Sequence, residues 1–305
     1  VKNRKNRIRQ TRFDTAFGAV NMTLICALLC VFLYPLLNVV AVSFSSSDAF
    51  VSGRVWLLPV NPTFEFYQML FKIKQIWIGY GNSFIYTFAG TGLSLALTVM
   101  AAYPLSRRFL MGRAFFMTLF LITMFFGGGL VPSFILVKNL GMFNTRAALI
   151  IPGAIAVWHI IVARTFFISS IPQELYDAAE IDGANDFRLL FSLVLPLSLP
   201  LLAVLALWCA VGIWNSFFGA LIYLTDSSKY PLQLVIRDYF GDPKNMDAAM
   251  RQFGLLGNRD SAVVYSKREV LKYAIVVVSS LPMVMLYPFV QRHFVKGVML
   301  GSLKG

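Results

Sequence analysis

Five carboxylates crowd into one short polar stretch. Glu174, Asp177, Glu180, Asp182 and Asp186 all fall in PQELYDAAEIDGANDFRLLFSLVLP, from Pro172 to Pro196. No nucleophile stands beside a base at motif spacing, and the chain's two histidines, His159 and His293, have ligand spacing to no other His, Cys or acid pair. The chemistry on offer is charged recognition of a partner rather than acid–base work, and no metal site is implied. A G-x-x-x-x-G-K-[ST] phosphate loop is absent from the sequence, so the chain cannot cradle ATP as P-loop ATPases do. Trp214-Asn215 lies near the middle of the apolar run VGIWNSFFGALIYL. An aromatic ring beside an amide can hold the apolar face and hydroxyls of a sugar, and structural packing is the other reading. Asn82 and Tyr86 open an earlier apolar run and are candidates for lining the same path, with boundary anchoring the alternative for Tyr86. His159 reads as a packed residue, with a proton relay as its alternative.

The elements that must hold the carboxylates are legible around them. Ser170 and Gln173 have capping-box spacing, Pro172 suits a first helical turn, and Glu174 sits near the positive end of the helix dipole. Helical spacing puts Leu175, Ala178, Ala179 and Asp182 on one side and offsets Glu174, Asp177 and Glu180 toward water or a partner. Gly183 supplies a left-handed residue to end the helix. Asn185 or Asp186 caps the next helix, and Pro196 with Pro200 marks the turn into the following apolar run. The expectation is helix, tight turn, helix, lying at a membrane surface between runs long enough to cross a bilayer.

Taken in order, Glu174-Leu175-x-Asp177-Ala178-Ala179-x-Ile181-Asp182-Gly183-Ala184, then Phe187 and Leu195-Pro196, resembles the cytoplasmic EAA loop of permease subunits in binding-protein-dependent ABC importers. The resemblance implies that this loop is a coupling helix docking into a cleft on an ATP-hydrolysing subunit. Glu174, Asp177, Ala178, Ala179, Asp182, Gly183, Leu195 and Pro196 are then the coupling residues. Asp177 stands where many members carry Glu. It keeps the charge and shortens the reach.

The whole chain fits a membrane setting. It has 305 residues, 58% hydrophobic and 13% charged, with a mean hydropathy of +0.69, values of a polytopic membrane protein. A net charge of +13 would suggest nucleic acid in a soluble protein, but the basic residues cluster beside apolar runs, which excludes that class. Cys26, Cys30 and Cys209 lie in apolar runs and imply neither a disulfide framework nor a zinc site. The pattern predicts an all-α protein with six spans, at about 17–43, 79–104, 114–137, 146–168, 199–224 and 270–291. The basic block in residues 1–16 puts the N-terminus in the cytoplasm, so 172–196 and the tail 292–305 are cytoplasmic and 44–78 and 225–269 are outside. FFGGGLVP, Phe125 to Pro132, interrupts the third predicted span, where glycines permit close helix packing or, alternatively, a hinge. Tyr103-Pro104 and Tyr287-Pro288 mark inner helix ends.

Asn82-Ser83, Pro132, Leu140-Gly141, Asn144-Thr145, Trp214-Asn215, Tyr230-Pro231-Leu232 and Phe294-Val295-Lys296-Gly297 are similar to the carbohydrate-uptake, maltose-type branch of that family. FGGGLVPSFILVKNLGMFNTRAALIIPGAI and KGVMLGSLKG are most similar to importers of polysaccharides, alginate included. This resemblance implies an oligosaccharide importer permease in the bacterial inner membrane, surrounded by lipid. Its implied partners are a sister permease in a heterodimer, two ATPase subunits carrying ATP-Mg, and an extracytoplasmic solute-binding protein. It also implies a C-terminal tail that reaches the ATPases, although the tail alone reads as a disordered anchor. In segment 225–269 the charges nearly balance, but Lys267-Arg268 is a local cluster able to meet uronate carboxylates or, as the alternative, acids on a binding protein. A neutral oligosaccharide, a secondary transporter and a membrane-embedded enzyme are the competing readings.

Overall fold

Thr11 and Asp14 start the first helix with a reciprocal capping box, the Asp14 amide donating to the Thr11 hydroxyl and the Thr11 amide to the Asp14 carboxylate. The helix α1 (Arg12–Ser43) therefore begins five residues before the expected apolar run. The computed structural model describes residues 11–256 and 261–301, with only the backbone described at 12, 261, 287 and 289–301. Most of the basic N-terminal block and residues 302–305 of the tail lie outside the described residues. Every regular element among the described residues is helical.

Two units are built from this chain, one from residues up to 70 together with 246–278, the other from 71–245 and 279 onward. The first unit contains α1, α2 (Ser47–Val51), nearly all of α3 (Glu65–Lys72), most of α15 (Pro243–Gln252) and the first part of α16 (Ser261–Gly301). Its interior is tied by polar contacts. The Tyr67 hydroxyl donates to the buried Ser43 hydroxyl at 2.8 Å, and the Arg268 guanidinium grips both carboxylate oxygens of Asp247. Lys267 donates to the Leu255 carbonyl and faces Glu65 at 3.7 Å. The described residues of segment 225–269 are thus largely helical, and Lys267 and Arg268 are engaged within the chain rather than presented to a substrate.

The second unit is organised on α4 (Lys74–Ser106), which packs against α7 (Ala147–Ile150), α8 (Val157–Ser170), α12 (Leu199–Asn215) and α14 (Leu232–Phe240). Two glycines explain the close approach. A Cβ on Gly90 would meet Ile213 at 2.8 Å, and one on Gly79 would meet the Leu232 backbone at 3.0 Å. The glycines of FFGGGLVP do something else. They separate α5 (Arg113–Phe125) from α6 (Leu130–Asn139), which turn 111° from one another. Gly129 has φ +83°, and the space around Gly127 and Gly129 is open. Within this chain these glycines make a sharp bend and pack no neighbouring helix.

Three described helices are long and apolar enough to cross a membrane unbroken, in Phe13–Ser43, Lys74–Ser106 and Ala262–Leu286. The α5–α6 pair is a bent candidate span, as is Asp186–Leu197 with Leu199–Asn215, which turn by 79°. Where one span was expected at 146–168, Pro152-Gly153 interrupts the helix, so α7 and the 14-residue α8 are separate. Pro288 does not end the last helix, which continues through Pro282 and Pro288 to Gly301. Pro104 likewise lies inside α4, two residues before its end. The helical architecture stands, but six uninterrupted spans do not.

Candidate functional site

The carboxylate stretch folds as the expected helix, turn, helix, by a different set of local contacts. Its first helix, α9 (Gln173–Ile181), starts at Pro172 without a side-chain cap. Ser170 is the last residue of α8, so it cannot act as a cap, and the Gln173 amide group instead donates to Asp177 at 2.9 Å. The far end is a Schellman closure: the Ala184 amide donates to the Ala179 carbonyl at 2.9 Å and the Gly183 amide to the Glu180 carbonyl at 3.0 Å. Gly183 sits at φ +78°, the left-handed conformation that glycine adopts without a Cβ penalty. Asn185 then caps α10 (Asp186–Leu189), its side chain accepting from the Arg188 amide at 2.9 Å. A π-helical turn, Leu190–Val194, leads into α11 (Leu195–Leu197), and the chain bends at Ser198.

One face of α9 is fixed and the other is open. Tyr176, 4% exposed, enters a cluster with Tyr103, Phe167, Ile171, Leu189 and Leu190. The Arg107 guanidinium lies 4.2 Å over the Tyr176 ring and pairs with Glu180. Burial raises the Tyr176 phenol above its ordinary value, and the Arg107 charge pulls it the other way. From α4, the Tyr103 hydroxyl donates to the Asp186 carbonyl at 3.3 Å, so the second arm is tethered as well. Opposite Tyr176, the side chains of Glu174, Leu175, Asp177, Ala178, Ile181 and Asp182 are exposed, Ile181 at 86%. Phe187 on the second arm is 75% exposed. A cavity of about 570 Å³, lined by Met100, Phe109, Leu110 and Phe187 with Arg107 and Glu180 among its polar groups, adjoins the hairpin.

Most of the expected coupling residues therefore come together, with two differences. Ala179 turns inward against the cluster while Ala178 faces out, so the two alanines do not share a face. Leu195 and Pro196 lie beyond the π-helical turn, Leu195 packing into the same cluster. Sequence reasoning missed Tyr176 and Arg107 as anchors. The available signal was that Tyr176 is the only aromatic residue in α9, and that Arg107 heads the short basic loop after α4.

The candidate path residues are not gathered at one opening. Asn82 is 3% exposed, donates to the carbonyls of Ser228 and Tyr230 at 2.8 and 3.1 Å, and accepts from Arg146 at 3.1 Å. Tyr86 is buried too and donates to the Lys229 carbonyl at 2.7 Å. Both pin the 228–230 segment onto α4. Trp214 is buried at the end of α12 rather than mid-span, its indole N–H donating to the Ser279 carbonyl at 3.0 Å beside Tyr80 and Phe84. Asn215 alone of the four is exposed, and its amide donates to the Val211 carbonyl. His159 is half-buried, its ring 6.1 Å from that of Trp208 and its Nδ1 3.5 Å from the Cys209 sulfur. No group of three metal-ligating side chains occurs among the described residues.

A chain with an ordered, half-open hairpin between apolar helices has close counterparts. It is 38% identical over 282 residues to the polygalacturonan/rhamnogalacturonan transport system permease protein YtcP of Bacillus subtilis (strain 168), covering 92% of this chain and 95% of that one. It is 33% identical over 298 residues to Protein LplC of the same organism, covering 98% of both. Among solved structures, it matches a chain of a bacterial ABC transporter involved in the import of the acidic polysaccharide alginate, with a TM-score of 0.79 and 33% identity over 94% of this chain and all of that one. Residues 90–300 fit the family of binding-protein-dependent transport system inner membrane components. With that match spanning both arms of the hairpin and relatives this similar along nearly its full length, the chain is a member of the binding-protein-dependent transport system inner membrane component family.

Proposed function

We propose that this permease forms the translocation path for an oligosaccharide or polysaccharide and takes its energy from ATP hydrolysed on partner subunits through the open face of α9. The observation that carries the reading is the division of that helix. Tyr176 and the Arg107–Glu180 pair hold one side to the helical core, while Leu175, Ala178 and Ile181 are left uncovered between Glu174, Asp177 and Asp182. A helix so held transmits a push on its outer face to α4 and α8 without unfolding. On this reading the hairpin, residues 1–16 and the tail 292–305 lie in the cytoplasm. Two ATPase subunits carry ATP-Mg, a sister permease completes the path, and an extracytoplasmic solute-binding protein delivers substrate. Leu195 and Pro196 act by shaping the second arm, and Asn215 is the path candidate whose side chain remains open.

The substrate we infer is acidic. Polygalacturonan, rhamnogalacturonan and alginate, named for two of the similar proteins, all carry uronate residues. Lys267 and Arg268 are committed to internal partners, so selection falls to the binding protein and to groups on the sister subunit. In the reconstituted complex, uronate oligomers on the binding protein should stimulate ATP hydrolysis and neutral glucans of equal length should not. The opposite preference removes the acidic substrate. Failure of an Ile181→Cys variant to cross-link to any ATPase cysteine, in every nucleotide state, removes the coupling role of α9.

A further inference from the structure

A second cavity, of about 210 Å³, opens on the other side of Arg107, between the α4–α5 connection, the end of α8 and the start of α9. Arg107, Arg108 and Arg113 line it, with Ser106, Ser169 and Gln173, and no carboxylate does. Arg107 is occupied by Glu180 and Tyr176. Arg113 is half-buried and Arg108 is exposed at the rim, and neither side chain has an ion pair or a hydrogen bond among the described residues. Arg164, on α8, lies within electrostatic reach of Arg113, and its Nε donates to the Leu105 carbonyl. Arg107, Arg113 and Arg164 are partly withdrawn from water, where guanidinium groups repel one another more strongly unless an anion sits among them.

We propose that this cavity binds a phosphate oxyanion, carried as the headgroup of an anionic phospholipid. Arginine forks match phosphate oxygens in pairs, and this cavity offers Arg113 at half depth and Arg108 at its rim with no acid in the lining. The same connection supplies the apolar part of the match. Between the arginines the chain reads Phe109-Leu110-Met111-Gly112, with Phe109 76% and Met111 89% exposed. Apolar side chains beside basic ones suit the boundary between headgroups and acyl chains, and a free inorganic ion would gain nothing from them. Because Arg107 borders both this cavity and Glu180, a bound headgroup stiffens the attachment of α9 to the end of α4. The lipid composition of the surrounding leaflet then sets how firmly the hairpin is held. The proposal rests on the permease reading only for the leaflet that faces the site.

The test is lipid retention, which is read without transport. The complex with its partner subunits is placed in nanodiscs of phosphatidylcholine mixed with phosphatidylglycerol, and lipids held by the permease are weighed by native mass spectrometry. The wild type should retain phosphatidylglycerol in preference to phosphatidylcholine. Arg108→Gln and Arg113→Gln should each lower that retention about fivefold, and the Arg108→Lys/Arg113→Lys pair, which keeps the charge and loses the fork, should fall between the wild type and the Gln variants. Excess inorganic phosphate that displaces the lipid and is itself retained would assign the site to free phosphate and overturn the lipid as its occupant. Equal retention of the two lipids by the wild type overturns the proposal outright, and needs no variant to fold. A Gln variant that assembles and retains phosphatidylglycerol as the wild type does overturns the role of these arginines.

Discussion

Replacing Gly183 with valine tests whether the hairpin turn is a backbone requirement or a matter of space. A Cβ at Gly183 would meet nothing within 4 Å, so the substitution creates no clash inside this chain. The cost comes from φ +78°, where an L residue pays about 1–2 kcal/mol and a β-branched one more. A penalty of that size shifts the fraction of hairpins holding the Ala184–Ala179 and Gly183–Glu180 bonds by about 5–30-fold. Asparagine tolerates the left-handed region, so Gly183→Asn should recover most of what Gly183→Val loses. The assay is ATPase stimulation by substrate-loaded binding protein in the reconstituted complex, with assembly checked by size exclusion. Full stimulation by an assembled Gly183→Val complex would refute the claim that the turn geometry matters. Equal damage from Asn and Val would point to crowding against the partner instead of backbone strain.

Other sites give sharper local tests. Tyr176→Ala should remove about 3–5 kcal/mol of packing under α9 and uncouple ATP hydrolysis from uptake. Tyr176→Phe should be nearly silent, since the hydroxyl makes no hydrogen bond among the described residues, and parallel uptake and hydrolysis assays on both variants decide it. Asn82→Ala leaves the Ser228 and Tyr230 carbonyls without their partner and takes one partner from Arg146, so thermal unfolding in detergent should show a loss of about 1–3 kcal/mol. Arg268 holds the Asp247 carboxyl below its ordinary value of 3.8. This contribution is complete above that value and lost as pH falls through the lower, folded-state one, so protease resistance around 243–256 should drop on acidification. Asp247→Asn should weaken resistance at neutral pH and abolish the acid-dependent drop.

The helical class, the hairpin and its glycine turn were readable because each rests on local rules: apolar run length, a left-handed C-terminal residue, and an Asn at the next cap. The inward side of α9 was not. Helical spacing allowed several faces, and what selects one is the distant pair Arg107 and Tyr103, brought alongside by the course of α4 and α8. Ser170 and Gln173 had capping-box spacing but lost it to α8, which extends to Ser170. Asn82, Tyr86 and Trp214 looked like path residues because polar and aromatic groups in apolar runs need partners. The partners are backbone carbonyls at 228–230 and 279, far along the chain and invisible to local spacing. Glycine misled in the same way. Gly79 and Gly90 carry the close packing, while the triplet at 127–129 carries the bend.

That bend also limits what can surround it. Among the described residues the amides of Gly127, Gly128 and Gly129 make no hydrogen bond, and residues 121–132 are exposed on this chain. Hydrocarbon does not tolerate bare peptide groups, each of which costs several kcal/mol there. Acyl chains therefore cannot be the neighbours of this stretch. It must be wetted or sheathed by another polypeptide, and a bilayer drawn around this chain has to leave a gap in its annulus at Gly127–Gly129.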